Sequence, residues 1–318
     1  MKVTPGVLDR AAGVLLGQVI GDALGVPYEF AAPIKAGQAR MIGGGLGPYD
    51  PGEWSDDTQM ALCIARVAAT GADLTRPEAL DAIALAFLGW KSGGASDIGN
   101  QTAAVLARAS REDGNRVSIR MAAIAAELAA TGQAGNGGLM RTSVVGLCAL
   151  DSADKTADMA AKICALTHPD TRCVESAMLW SLAVRHAVLT ATMDVRVGLK
   201  HLSPDRRAWW EQQIHAPETA PPTTFTPNGY TVTAFQAAWA SIHATTEKAG
   251  PGQVPAALQL AVSIGNDTDT VAAVAGGLLG ARYGASLLPS EWVQQVHGWP
   301  GLRADGLVQI AHHMVGHE

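Results

Sequence analysis

The chain has 318 residues, of which 48% are hydrophobic, 16% charged and 5% aromatic, and its formal net charge is −6. That length is enough to bury a sizeable core. The acidic balance excludes a broad basic face for nucleic acid but leaves room for a local site for a nucleotide-like ligand.

Alanine and leucine dominate the apolar set, which favours helix over sheet. The first helix begins near Leu8, where Leu8, Ala12, Leu15 and Val19 form a stripe at helical spacing. Asp22 continues that stripe, and an acid on a buried face needs a partner. Gly25 and Pro27 end the helix, and IGGGLGPYDPGEW (42–54) is loop. A second helix opens at WSDDTQMAL, and further helices are expected over 76–91, 101–110, 116–130, 139–150, 153–167, 172–190, 232–244, 254–263 and 271–283. No segment reads as a strand. The proline- and tryptophan-bearing stretch around 203–228 reads as a short helix followed by an irregular excursion, inside a single domain spanning 1–318. VLLGQVIGDALG (14–25) and GGLLGARYGASLL (276–288) echo each other too faintly to make a repeat.

The four cysteines, Cys63, Cys148, Cys164 and Cys173, have no CxxC spacing. They read as buried thiols of a reducing compartment, with neither a zinc site nor a disulfide framework. MKVTPGVLDRAAG lacks a secretory h-region, and no window of about 18 residues is apolar throughout. The expectation is a cytoplasmic chain with no membrane span.

Two stretches share one plan. SDDT (55–58) and NDTDT (266–270) each open a predicted helix with paired acids and hydroxyls. Singly, helix capping accounts for either, with Ser55 as N-cap and the acids in a first turn that the dipole favours. Together they hold four carboxylates, which repel one another unless a cation sits among them. If the two helix starts meet, Ser55, Asp56, Asp57, Asp267, Asp269 and Thr270 offer an all-oxygen cage. Such a cage suits Mg²⁺ or Mn²⁺ rather than zinc or copper, and two ions about 3.5–4 Å apart could share a bridging carboxylate. An EF-hand beginning at Asp267 fails, because Ala272 and Leu278 stand where Gly and Glu belong. A helical prenyl-diphosphate enzyme wants DDxxD, and Met60 occupies the third acid position. Behind the second acid pair, Gly276, Gly280 and Gly284 leave a bare helix face.

GNGGLMRTS (135–143) places three glycines in four positions ahead of a predicted helix. Such a loop is either a tight turn or a close backbone approach to an anion. In SDIGNQT (96–102), Asp97 is an N-cap or a reactive acid. His168 in THPDTR ends one helix and could reach a ligand, and Glu29 could face the same cleft as Asp22.

GDALGVPYEF, WSDDTQMAL, SDIGNQT, GNGGLMR, THPD, NGYTVTAFQAAW and IGNDTDTVAAVAGGLLGARYG, in this order, resemble the ADP-ribosylglycohydrolase family. They span nearly the whole chain, from Gly21 to Gly284. The resemblance implies a compact all-α fold, a single orthogonal helical bundle with a dinuclear Mg²⁺ or Mn²⁺ centre in a cleft. It carries the metal ligands onto Ser55, Asp56, Asp57, Asp267, Asp269 and Thr270. It also matches Glu29 and Asp97 to acids near the reacting bond, Glu29 being the first candidate for general acid or base. Asn136, Gly137, Gly138, Leu139, Met140 and His168 match ADP-ribose-contacting positions, and Tyr230 an aromatic that can stack on adenine.

The implied reaction is hydrolysis of the C1″ glycosidic bond of a mono-ADP-ribosylated protein. Arginine linkage is expected first, with serine or other acceptors as alternatives, and the enzyme is expected to be a monomer. Two other readings stand beside it, a non-catalytic ADP-ribose-binding protein of the same fold and the prenyl-diphosphate enzyme. The complete set of six metal ligands argues against the first, and the missing third acid against the second.

Overall fold

The computed structural model describes residues 3–111, 116–129, 132–248 and 250–316. Thirteen α-helices lie among them. The central pair is α1 (Pro5–Gly25) and α11 (Thr268–Tyr283). Thr4 caps α1 by accepting Val7 N at 3.3 Å, and Pro5 opens its first turn.

The two helices run antiparallel in backbone contact. A Cβ on Gly13, Gly17 or Gly21 would overlap the carbonyl of Gly280, Gly276 or Ala272, and one on Gly25 would overlap Asp269. The two echoing segments are therefore the two sides of one contact. The bare face of α11 meets a matching bare face on α1, and each is built from residues four apart. Pro5–Tyr28 is long and apolar enough by length and composition to cross a membrane, but in the fold 89% of its apolar window is buried.

Around this pair stand α7 (Thr171–Thr190), α9 (Thr231–His243), α10 (Gln253–Ser263) and α13 (Ala304–Gly316). Trp180 of α7 donates Nε1 to Val274 O at 3.1 Å and meets Phe235 of α9 edge-on at 5.0 Å. A side layer holds α2 (Asp56–Ala68), α3 (Pro77–Ser92), α4 (Asn100–Ala109) and α5 (Val117–Ala129), while α6 (Ala153–Ala165) packs on α7. Residue 130, the expected end of the 116–130 helix, lies outside the described residues.

Three expectations need correction. The first concerns 139–150, which is not an α-helix: it forms turns and a short 3₁₀ segment over Ser143–Leu147. Its groups are used elsewhere. Met140 O accepts Gln18 Nε2 at 3.3 Å, Thr142 O accepts Ser181 Oγ at 2.8 Å, and a Cβ on Gly146 would lie 2.7 Å from Ser181 O. Tertiary contacts outweigh local propensity there.

Secondly, the stretch around 203–228 is mostly ordered helix, α8 (Pro204–Thr219). Its anchor is Glu175 of α7, a buried carboxylate that pairs with Arg206 and accepts Trp210 Nε1 at 2.7 Å. Only the residues after α8 are irregular.

Thirdly, the absence of strand fails beyond Tyr283. A two-stranded ribbon of β1 (His297–Gly298) and β2 (Leu302–Arg303) lies between α12 (Ser290–Gln295) and α13, which covers α1. Strands of two residues are too short to leave an alternating pattern.

Gly17→Ala should destabilise the protein by about 1–3 kcal/mol or more, because rigid backbone gives no room for the methyl group. Gly89→Ala, on an exposed stretch of α3 with nothing within 4 Å of an added Cβ, should instead stabilise by about 0.4–1 kcal/mol. Urea unfolding of both variants measures the contrast.

Candidate metal centre and cleft

The contact between α1 and α11 brings three helix ends together. Thr268 Oγ1 donates to Gly25 O at 2.8 Å, which fastens the start of α11 to the end of α1. Asp22, fully buried in the last turns of α1, is the missing cap of α2. Its Oδ1 accepts Ser55 N at 2.9 Å and Ser55 Oγ at 2.7 Å, and its Oδ2 accepts Thr58 N at 3.0 Å. An acid from another helix thus satisfies the free N–H groups of the α2 start. Ser55 does not cap α2 with its own side chain. Its Oγ lies 3.4 Å from Asp57 Oδ2 and 3.3 Å from Asp269 Oδ2, so the two acid motifs meet although Ser55 and Asp269 are 214 residues apart.

Asp267 is held by two asparagines. Its N–H donates to Asn228 Oδ1 at 2.9 Å, and its Oδ2 accepts Asn136 Nδ2 at 2.8 Å. Asn228 is fully buried and donates Nδ2 to Gly265 O at 3.1 Å. The glycine loop is pinned to the same strut, with Asn136 N donating to Gly229 O at 3.1 Å and Thr231 N to Ala134 O at 3.0 Å. Sequence reasoning missed Asn228. Its only signal is a place beside Pro227 and Gly229, which reads as an ordinary turn. Asn136, expected at the substrate, lines the cleft and also holds Asp267 with its side chain.

Oxygen atoms of Glu29, Asp267 and Asp269 lie within 4.8 Å of one another. Glu29, expected only as an acid or base, is therefore close enough to the acid cage to add a carboxylate oxygen to it.

The carboxyls here do not ionise freely. Burial raises Asp56, Asp57 and Asp269 well above the usual range, and neighbouring acids raise each further: Asp97, Asp22 and Asp267 act on Asp56, Asp22 and Asp56 on Asp57, and Asp57 and Glu29 on Asp269. Burial also raises Asp22 to about 6, against the pull of its bonds to Thr58 and Ser55. Glu29 is pushed to about 9, first by burial and then by Asp267, Asp97 and Asp56. Burial likewise raises Asp97, with Asp267 adding to the rise and the Glu29 side chain and Ile98 N–H opposing it. Asp57 Oδ1 is buried with no hydrogen-bond partner. An orphaned carboxylate oxygen among mutually repelling acids is what a hard cation satisfies, and the oxygen-only donor set fits Mg²⁺ or Mn²⁺.

The acids form one wall of a cleft of about 670 Å³. Glu29, Asp56, Asp57, Asp97, Asp267, Thr270, Asn136, Gly137, Met140, His168 and Tyr230 all line it. Ser55 and Asp269 lie just behind that wall, hydrogen-bonded to each other. Gly138 and Leu139 do not line the cleft. A Cβ on Gly138 would overlap Cys164 Sγ, and Leu139 is a core residue.

Two further side chains shape the far end of the cleft. Arg141, fully buried, donates Nη2 to Thr167 Oγ1 at 2.7 Å, and that hydroxyl lies 2.7 Å from His168 Nδ1. The Nε2 of the ring faces the glycine loop. A Cβ on Gly137 would sit 3.1 Å from that Nε2. Burial and Arg141 push the His168 pKa down to about 3, so the ring is neutral. Gln101 donates Nε2 to Thr167 O at 2.8 Å, and its buried Oε1 has no partner.

Paired carboxyls beside a glycine loop in a cleft of this size define the class, a helical hydrolase of the glycosidase type. A profile of the ADP-ribosylglycohydrolase family matches residues 3–318, and the chain belongs to that family. It is 29% identical over 301 residues to the ADP-ribosylarginine hydrolase Tri1 of Pseudomonas putida (strain GB-1), covering 91% of this chain and 74% of that protein. It is 26% identical over 298 residues to the ADP-ribosyl-[dinitrogen reductase] glycohydrolase of Rhodospirillum rubrum, covering 92% of both. A solved ADP-ribosylglycohydrolase-related protein complex shares the fold, with a TM-score of 0.72 at 24% identity over 98% of this chain and 99% of that one. The protein is a hydrolase of ADP-ribosylated substrates.

The raised carboxyls make a pH prediction for the metal-free protein. Between the unfolded and folded pKa values the folded state binds more protons than the unfolded chain, so stability falls as pH rises. For Glu29 that window runs from the ordinary value of 4.5 to about 9. In chelator, the melting temperature should drop across this window. The increase on adding Mg²⁺ should grow between about pH 5 and about pH 8.5. A Mg²⁺ increment that shrinks with pH would contradict the acid-cage reading.

Proposed function

We propose that the chain removes ADP-ribose from arginine side chains of modified proteins, using a divalent metal pair, Mg²⁺ or Mn²⁺. The observation that carries this is the meeting of the two acid motifs across the contact of α1 and α11, in the wall of a cleft whose other end is the glycine loop. Ser55, Asp56, Asp57, Asp267, Asp269 and Thr270 would hold the ions, with Glu29 beside them. When bound, such a pair supplies Lewis-acid polarisation and fixed positive charge for ribose hydroxyls.

No Lys or Arg lines the cleft among the described residues. The diphosphate of ADP-ribose is therefore left to backbone N–H groups of the glycine loop, and the neutral His168 ring is close at hand. Tyr230 offers its ring to adenine, and Arg172 stacks on that ring at 5.4 Å and steadies it.

At the opposite end the bond to C1″ breaks with positive charge building on the ribose. The acid wall favours that charge. Glu29, the protonated partner of the carboxyl pair, gives its proton to the leaving nitrogen. Asp97, the second acid of the pair, takes a proton from the attacking water. Acid–base assistance of this kind contributes about 10²–10⁴-fold. The similarity to an ADP-ribosylarginine hydrolase supports arginine as the acceptor.

The decisive assay offers peptides ADP-ribosylated on arginine or on serine, with Mg²⁺, Mn²⁺ or chelator. Release of ADP-ribose from the arginine peptide, abolished by chelator, is expected. Binding without release from any substrate would instead point to an ADP-ribose-binding protein.

Two variants test the residue roles. Asp269→Ala should lose metal and activity while its far-ultraviolet circular dichroism stays unchanged, and full metal stoichiometry would return Asp269 to a capping role. Glu29→Gln should lower the single-turnover rate by about 10²-fold or more, and full retention would remove Glu29 as the acid.

A further inference from the structure

The cleft mouth carries two large apolar side chains that the fold leaves uncovered. Phe30 is 60% exposed and Leu46 57%, and both line the cleft. A scattered exposed leucine needs no explanation, but these two bracket the Glu29–Asp97 pair.

Phe30 directly follows Glu29. Its φ is 47°, in the left-handed region that bulky residues avoid. The backbone holds it there, with Phe30 N donating to Asn266 O at 2.7 Å in the loop that enters Asp267. Leu46 lies between two glycines that touch both acid-bearing segments. A Cβ on Gly45 would overlap the carbonyl of Val26, in the turn leading to Glu29. One on Gly47 would lie 2.9 Å from Ser96 Oγ, next to Asp97. The Leu46 loop thus packs against the segment before Glu29 and the segment before Asp97. Gln101, Thr102, His168 and Tyr230 line the same cleft beside the glycine loop.

We propose that Phe30 and Leu46 form an apolar clamp for the leaving group, which is the planar guanidinium of an arginine side chain held between the Phe30 ring and the Glu29–Asp97 carboxyls. This rests on the reading given under Proposed function. A guanidinium is weakly hydrated on its faces and stacks on aromatic rings, while its in-plane N–H groups seek carboxyl oxygens. A serine hydroxyl offers neither a flat face nor a charge. The cleft lining holds five carboxyls and no Lys or Arg, so among the described residues no cation of the protein competes for the ring there.

The test measures steady-state hydrolysis of an arginine-linked ADP-ribosyl peptide by wild type, Phe30→Ala, Phe30→Tyr and Leu46→Ser, with inhibition by free ADP-ribose measured in parallel. Both side chains are exposed, so the substitutions leave the core intact. Phe30→Ala should lower kcat/KM about tenfold, and Phe30→Tyr should recover most of that loss. Leu46→Ser should lower it less, and the ADP-ribose inhibition constant should stay within about twofold throughout. An active wild type with unchanged kcat/KM in Phe30→Ala overturns the clamp alone, as does an equal loss of ADP-ribose affinity. A wild type inactive on the arginine-linked peptide overturns the acceptor reading beneath it.

Discussion

Everything at the site depends on how closely α1 and α11 approach. Gly13, Gly17, Gly21 and Gly25 of α1 leave no side chain between the two backbones, so the helices touch along their length. That contact sets the end of one helix against the start of the other. It places Asp22 under the start of α2 and Asp269 beside Ser55. A wider spacing would separate the two acid motifs and leave two ordinary helix caps. Packing alone turns capping chemistry into a cage.

The cage works against the stability of the protein that builds it. Buried acids raise one another, and Asp57 Oδ1 has nothing to bind. The structure offsets part of this with fixed donors. Ser55 and Thr58 serve Asp22, and Asn136 serves Asp267. Those donors orient the oxygens without neutralising them. A cation among them would relieve that repulsion, and it would then tie folding to the site through one group of residues.

The cleft is divided by chemistry. Its acid end suits a cationic leaving group and a sugar gaining positive charge. Its other end has backbone N–H groups, a neutral histidine held by Thr167 and Arg141, and an aromatic ring, which suit an anionic nucleotide. Arg141 acts there without touching the cleft. A buried guanidinium that holds Thr167 beside the histidine and helps keep the ring neutral adds no cation to the cleft lining.

Apolar periodicity and glycine or proline punctuation made most helices legible, and the two acid motifs and the glycine loop announced themselves by composition. Periodicity failed at 139–150, where the chain's polar groups bond to Gln18 and Ser181 rather than to their own helix. It was silent on Asp22 as the cap of α2, on Asn228, and on the exposure of Phe30 and Leu46. A one-dimensional pattern records which face of a segment is apolar or bare, because that follows from spacing along the chain. It does not record which distant face will meet it. The echo between 14–25 and 276–288 was visible in the sequence, but its meaning as a contact was not. The sequence by itself determined that the protein is helical and carries two oxygen-rich helix starts. Only the tertiary structure decided that these starts form one site, because close backbone packing joins segments separated by most of the chain.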